Sequence, residues 1–183
     1  RVLDLGCAGG RNAALLAERG FDLHARDLAP AMVERTRERV AAFLGRDEAR
    51  RRVEVGAMDD LKDLPAGSLD WIVALGIYHQ AQDEAEWYRA LDASVRVLAP
   101  QGRILVATFA PGTGALGAPL PHVPGSDFVY EGMRGGHMCL RTLEGLDADF
   151  LERGLVPEVR SALVERETAE RRRVTVNALY RRA

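Results

Sequence analysis

At 183 residues, with 47% apolar and 28% charged side chains and a net charge of −2, the chain has the size and composition of one globular domain rather than a disordered segment. The charge gives no electrostatic case for nucleic acid, which needs a concentrated basic face, and no signal peptide or apolar run of membrane length is present. Cys7 and Cys139 lack ligand spacing, so neither a disulfide framework nor a metal site is supported and a reducing cytoplasm is expected. Lys62 is the only lysine, a bias read as GC-rich coding rather than chemistry. Arg1 stands directly against a strand without an initiator methionine, which implies a preceding segment outside this sequence.

Val2, Leu3 and Leu5, interrupted only by Asp4, suit a strand buried on both faces. The strand stops at Gly6, and Gly9 and Gly10 follow before a helix from about Asn12 to Arg19, closed by Gly20. Phe21 to Ala25 alternates as a second strand running on to Asp27. Pro30 opens a surface helix over Ala31 to Leu44, packed by Val33, Val40 and Phe43. Val53–Val55 is a third strand, Met58-Asp59-Asp60 a polar turn, and Leu69–Leu75 a fourth strand. Asp83 caps a helix with Trp87, Leu91, Val95 and Leu98 at helical spacing, and Arg103–Phe109 is a fifth strand. This alternation predicts an α/β domain with a doubly wound parallel sheet.

From Ala110 to Arg141 the pattern dissolves into glycine and proline, which predicts a long lid-like insertion within a single domain spanning residues 1–183. Thr142 caps a helix running to about Arg153. Val159 to Glu167 and Arg173 to Arg182 are two final strands, antiparallel because their connection is short. The run Arg171-Arg172-Arg173 at that turn is expected to be a solvated hairpin tip.

A strand turning through glycines into a helix leaves the first helical N–H groups facing a ligand. A dinucleotide site asks for G-x-G-x-x-G, but Ala8 replaces the second glycine and Arg11 the third. Both departures count against a pyrophosphate, and no Gly-Lys-Ser/Thr of a phosphate loop follows. Asp27, about twenty residues past the turn, stands where an acid holds ribose hydroxyls in such folds. Its plain alternative is a cap for the helix beginning near Pro30. Arg11 can pair with a carboxylate, so a nucleoside bearing an amino-acid tail satisfies both features.

Val2-Leu-Asp-Leu-Gly-Cys-Ala-Gly-Gly-Arg-Asn12 resembles the first motif of the class I S-adenosylmethionine-dependent methyltransferases. The resemblance continues through Asp27-Leu-Ala-Pro-Ala-Met32, Gly56-Ala-Met-Asp-Asp-Leu61, Ser68-Leu-Asp-Trp-Ile-Val73, Tyr78-His79 and Val97-Leu-Ala-Pro-Gln-Gly102. It implies a Rossmann-like, seven-stranded, mostly parallel sheet with an antiparallel final strand, and S-adenosylmethionine as cofactor. Carried over, it implies that Gly6, Cys7 and Gly9 wrap the methionine end, with Arg11 near its carboxylate. Asp27 then meets the ribose, Leu28 flanks the adenine, Met58 and Asp59 meet its edge, and Leu75 and Gly76 close the pocket. The acid often found after the glycine of the third-strand turn is Ala57 here, so Asp59 or Asp60 takes that contact or it is lost. The glycine-arginine-asparagine run is most similar to a small-molecule branch.

The resemblance implies in-line attack on the sulfonium methyl, so the protein's share is alignment. His79, following the fourth strand, is the candidate base; the alternative is that it only shapes the cofactor pocket. Tyr78 is expected to pack, and Cys7 to serve through its backbone. Tyr130 and His137 are candidate acceptor contacts within the insertion. No Asn-Pro-Pro-Tyr-type motif follows the fourth strand, which argues against DNA methylation, and no metal-ligand cluster points to a catechol-type enzyme. The expected activity is methyl transfer to an oxygen, nitrogen or sulfur of a small molecule. Its rivals are a non-catalytic domain that binds S-adenosylmethionine or its demethylated product as partner or sensor, and an NAD-dependent enzyme.

Overall fold

Strand and helix alternate through residue 109, and the chain then returns to the sheet from its far side. The computed structural model describes residues 1–133 and 135–183. The first half comprises β1 (Val2–Leu5), α1 (Arg11–Glu18), β2 (Leu23–Asp27), α2 (Pro30–Leu44), α3 (Arg46–Arg52) and β3 (Val53–Val55). β4 (Leu69–Leu75), α4 (Glu84–Val97) and β5 (Leu98–Phe109) complete the parallel part. The short strands β6 (Gly114–Ala115), β7 (Ala118–Pro119), β8 (Val129–Glu131) and β9 (His137–Cys139) follow. The chain ends with α5 (Leu143–Leu151), β10 (Leu155–Pro157), β11 (Ala162–Glu167) and β12 (Arg171–Arg182).

The sheet runs β3-β2-β1-β4-β5-β12, parallel up to β5 and antiparallel from β5 to β12. β10 and β11 both pair with the outer edge of β12 and share one position in the sheet. The expected seven positions are therefore present, although the sheet has ten strands because the last position is split and the β6–β7 hairpin extends one edge. The split follows from Pro157, which ends β10 and has no N–H to continue a ladder. Strand order reverses between β1 and β4, so their carboxyl ends open a crevice at the switch point.

All four residues of β1 are buried, as its sequence requires. Leu3 and Leu5 join Ile72, Trp87, Phe150 and Tyr180 on one side of the sheet, while Val2 joins Leu23, Val33 and Val40 on the other. The Asp83 side chain caps α4 by accepting from Glu86 N at 2.7 Å, and the Thr142 hydroxyl caps α5 by accepting from Gly145 N at 3.0 Å.

α3 has no apolar stripe to announce it, since Ala49 is its one buried residue. Its signal lies in charge, with Asp47 and Glu48 in the first turn and three arginines in the last, which complements the helix dipole. Residues 110–141 contain two short hairpins, β6–β7 and β8–β9, where the sequence predicts only loop. Two- and three-residue strands are too short to show a period. This segment is held by buried Phe128 and Cys139, by the Arg141 guanidinium over the Phe128 ring at 4.3 Å, and by the Arg141–Asp149 ion pair at 2.5 Å.

Candidate active site

The turn after β1 is fixed by its own backbone and by β2. Gly6 N and Cys7 N both donate to Arg26 O, at 2.8 and 3.0 Å, and Gly10 N donates to Cys7 O at 2.8 Å. Gly6, Ala8 and Gly10 have φ of 76°, 45° and 75°, so Ala8 takes the left-handed conformation that glycine would ordinarily supply. Ala8 is held there from both sides: its N–H donates to Asp27 Oδ2 at 2.8 Å, and its carbonyl accepts from the Thr36 hydroxyl at 2.7 Å. A Cβ on Gly6 would stand 2.8 Å from Ile77 Cβ, so the turns after β1 and β4 touch.

Asp4 lies beneath this turn, 1% exposed, with a hydrogen bond to the Ala13 backbone and no partner on Oδ2. Burial pushes its carboxyl up to about 7, and the nearby Asp27 charge adds to the effect. A buried carboxylate oxygen without a partner is the polar vacancy that a cation or donor held in the turn would fill.

A small cleft of about 80 Å³ beside the turn is lined by Gly6, Asp27, Leu28, Gly56, Met58 and Ile77, among others. Asp27 Oδ1 accepts from Ala29 N at 2.9 Å, so its carboxylate braces the glycine turn and the turn that leads into α2, whose N-cap is Ala29 and has no side-chain cap. Arg26 forms the floor. It is buried, pairs with Asp63 at 2.5 Å and donates to Asp60 O at 2.7 Å, while a Cβ on Gly56 would meet its Cδ at 2.6 Å.

Gln80 lines both this cleft and a neighbouring cavity of about 660 Å³. That cavity is bounded by Arg11, by Leu75 and Gly76 at the end of β4, by His79 and Phe109, by Met133, His137 and Met138, and by Arg171 and Arg173, among others. His79 is 3% exposed, its ring stacks on Phe109 at 4.1 Å, and its Nδ1 accepts from Phe109 N at 3.2 Å. With Nδ1 accepting, the proton is assigned to Nε2; burial pushes the ring's pKa down to about 4. At neutral pH the imidazole is uncharged and can donate, not accept, through Nε2.

The structure therefore gathers Gly6, Asp27, Leu28 and Met58 around one cleft and Arg11, Leu75, Gly76, His79 and His137 around the next. Cys7 is buried with its sulfur 3.6 Å from the Thr36 hydroxyl and its thiol pushed up to about 12 by burial, while Gly9 lies against the Arg35 side chain. Neither lines the two cavities, although both shape the turn. Asp59 is turned to α4, where its carboxylate pairs with Arg89 at 3.0 Å, so it does not line the cleft. Tyr130 packs edge-on against His122 at 5.0 Å rather than lining the cavity. Tyr78 is fully buried and donates to the Ser94 hydroxyl at 2.7 Å.

Residues not anticipated as cavity lining from sequence include Gln80, Met133, Met138 and, above all, Arg171 and Arg173, which stay exposed beside the hairpin turn, as expected, and also border the cavity. Their place over the crevice has a simple cause. Pairing of Thr175 with Phe109 carries the start of β12 past the end of β5 and over the crevice. The alternation of residues 171, 173 and 175 was the available signal, but its face depends on that distant register.

A glycine turn at a topological switch point, with an acid at the end of the neighbouring strand, defines a nucleoside-binding α/β domain. Residues 2–102 match the family model described as a methyltransferase domain, and the chain belongs to the class I S-adenosylmethionine-dependent methyltransferases. It is 33% identical over 120 residues to a magnesium-protoporphyrin O-methyltransferase of Rhodobacter capsulatus, covering 63% of this chain and 47% of that protein. It is 30% identical over 130 residues to a ubiquinone biosynthesis O-methyltransferase of Xylella fastidiosa (strain 9a5c), covering 70% and 48%. The chain thus spans about half the length of these curated relatives. An S-adenosylmethionine-dependent methyltransferase from Methanosarcina mazei shares the fold with a TM-score of 0.72 at 15% identity, covering 99% of this chain and 91% of that one. No helix among the described residues is long and apolar enough to cross a membrane.

Proposed function

We propose that the chain transfers a methyl group from S-adenosylmethionine to an oxygen, nitrogen or sulfur atom of a small-molecule acceptor. The observation that carries this reading is the unpartnered, buried Oδ2 of Asp4 beneath a turn built from Gly6, Ala8 and Gly10. A ligand with a cationic amine and a nucleoside fits that vacancy together with the adjoining cleft. The turn and Arg11 hold the amino-acid end, Arg11 serving the carboxylate. Asp27 receives the ribose hydroxyls on the lone pairs its two backbone bonds leave free, and Leu28 and Met58 flank the base. When bound, the cofactor supplies a methyl group already activated on a sulfonium sulfur.

The remaining work of the chain is to align the acceptor and exclude water. His79 serves it as a neutral donor and a wall rather than as a base, since its Nδ1 is engaged and its pKa lies well below neutrality. Residues 110–141 cover the acceptor, as the placing of Met133, His137 and Met138 along the cavity supports. The two free, buried cysteines support a reducing, cytoplasmic setting.

Calorimetric titration with S-adenosylmethionine and S-adenosylhomocysteine, followed by a methyl-transfer assay on a small-molecule panel, tests the reading. Micromolar binding with turnover is the expected result. Absence of binding overturns it, and binding without turnover across the panel favours a non-catalytic role. His79→Ala is expected to lower cofactor affinity and turnover together; a loss confined to turnover would make His79 a base.

A further inference from the structure

The cavity beyond the cofactor turn carries an uncompensated positive wall. Alternate residues of a strand face the same side, so Arg171, Arg173 and Thr175 all line the cavity while Arg172 and Val174 point away. Arg172 is neutralised on its own face by Glu165 at 2.5 Å and Glu167 at 3.7 Å. Among the described residues no carboxylate comes within ion-pair distance of the Arg171 or Arg173 side chain, and no aspartate or glutamate lines the cavity. Arg166 sits directly opposite Arg173 in the β11–β12 ladder, which adds a third positive charge to the same face. Arg166 and Arg173 are both exposed, so water screens much of their repulsion, and an anion before them would relieve the rest. The same hairpin therefore balances its charge on one face and leaves it open on the face that meets the cavity.

We infer that the methyl acceptor is a small anion, a carboxylate or a phosphate ester, anchored through its charged group by Arg171 and Arg173. This rests on the methyl-transfer reading of the site and specifies its substrate class. The guanidinium fork suits the paired oxygens of either anion. Phe109, Met133 and Met138 give the same cavity an apolar side, so the acceptor carries an aromatic or aliphatic body next to its charge. The charged group is the anchor rather than the methyl-accepting atom, because pairing with two guanidinium ions withdraws the electron density that a nucleophile needs. The atom that receives the methyl lies elsewhere on the body, toward Gly76 and His79.

The test titrates benzoate, phenyl phosphate and the uncharged methyl benzoate into protein saturated with S-adenosylhomocysteine. At least one of the two anions is expected to bind about tenfold or more tightly than the ester, a difference of about 1.4 kcal/mol. Arg171→Gln with Arg173→Gln is expected to abolish that preference, while Arg172→Gln, on the opposite face, keeps it. The stronger of the two anions identifies the anchoring group. Equal binding of ester and anions, no anion binding at about 10 mM, or an intact preference in the double variant would each overturn the inference. Failure of wild-type protein to bind S-adenosylhomocysteine would instead overturn the methyl-transfer reading.

Discussion

The hydrogen bonds that brace the glycine turn of the cofactor cradle lie within one stretch of chain between Gly6 and Thr36, whereas the acceptor cavity collects His79, Phe109, His137 and Arg173 from four separate elements. In the cradle a single carboxylate, Asp27, holds two backbone amides at 2.8 and 2.9 Å, and Thr36 closes the turn from the next helix. In the cavity the walls meet only because β12 runs antiparallel beside β5 and β9 is clipped to Gln82 by two hydrogen bonds of 3.0 Å. A turn braced locally keeps its shape with little help from distant segments. A wall assembled from distant segments can change its ligand through a few side chains.

The largest expected effect is at the cradle. Gly6→Val forces a β-branched residue to φ of 76° and drives its Cβ into Ile77. Loss of about 4 kcal/mol of stability and about a hundredfold in S-adenosylhomocysteine affinity is expected by denaturant unfolding and calorimetry. A variant that binds normally would show that the cradle is soft and remove the contrast.

On the acceptor side, Asp149 accepts from Trp87 Nε1 at 2.9 Å and pairs with Arg141, which ends the insertion. Asp149→Ala leaves a partly buried guanidinium without its counter-ion and is expected to cost about 3 kcal/mol. Limited proteolysis should then cut first within residues 110–141. Unaltered proteolysis would mean that this segment does not depend on its distant anchor.

Asp4 sharpens the comparison through pH. Its folded-state carboxyl is raised to about 7 from an ordinary 3.8, so between these values the folded chain keeps a proton that the unfolded chain has released. Stability therefore falls as pH rises through that window. Asp4→Asn removes the slope and is expected to gain about 2 kcal/mol at pH 8 in the ligand-free protein, while weakening cofactor binding. A variant with the wild-type slope would show that Asp4 is not the group that titrates.

Asp27→Ala is expected to weaken S-adenosylhomocysteine by about tenfold or somewhat more, about 1.4 kcal/mol, with a further loss of about 1 kcal/mol of stability as Ala8 and Ala29 lose their acceptor. Asp27→Asn keeps only one of the two acceptor oxygens, since Ala8 N and Ala29 N bond to different ones, and an intermediate loss of stability is expected. Unchanged affinity in the alanine variant would make Asp27 a brace for the turn and nothing more.

The same contrast explains what could be read from sequence. β1, the glycine turn, Asp27 and the Asp83 cap are short-range patterns, and the chain realises them where they stand. Asp59 was legible as a polar turn residue, but not its choice of Arg89 over the cleft, because that depends on where α4 lies. Arg171 and Arg173 are exposed beside the hairpin turn as read, but that they also stand over the crevice depends on the β5–β12 register. Helix α3 was hidden by lack of an apolar stripe, and the split of β10 from β11 by a proline that also suits a turn.

The smallest expected effect concerns the residue that first separated this turn from a dinucleotide motif. Ala8 has φ of 45°, a conformation that costs a residue with a Cβ about 1 kcal/mol. Its N–H and carbonyl are both engaged, by Asp27 and Thr36, and these bonds hold it there. Ala8→Gly relieves the steric cost but enlarges the conformational freedom of the unfolded chain by a similar amount. The expected net change is within about 0.5 kcal/mol, with S-adenosylhomocysteine affinity inside about twofold. A gain above about 1 kcal/mol would mean that the cradle stores strain, and that its shape is imposed by its neighbours much as the acceptor wall is.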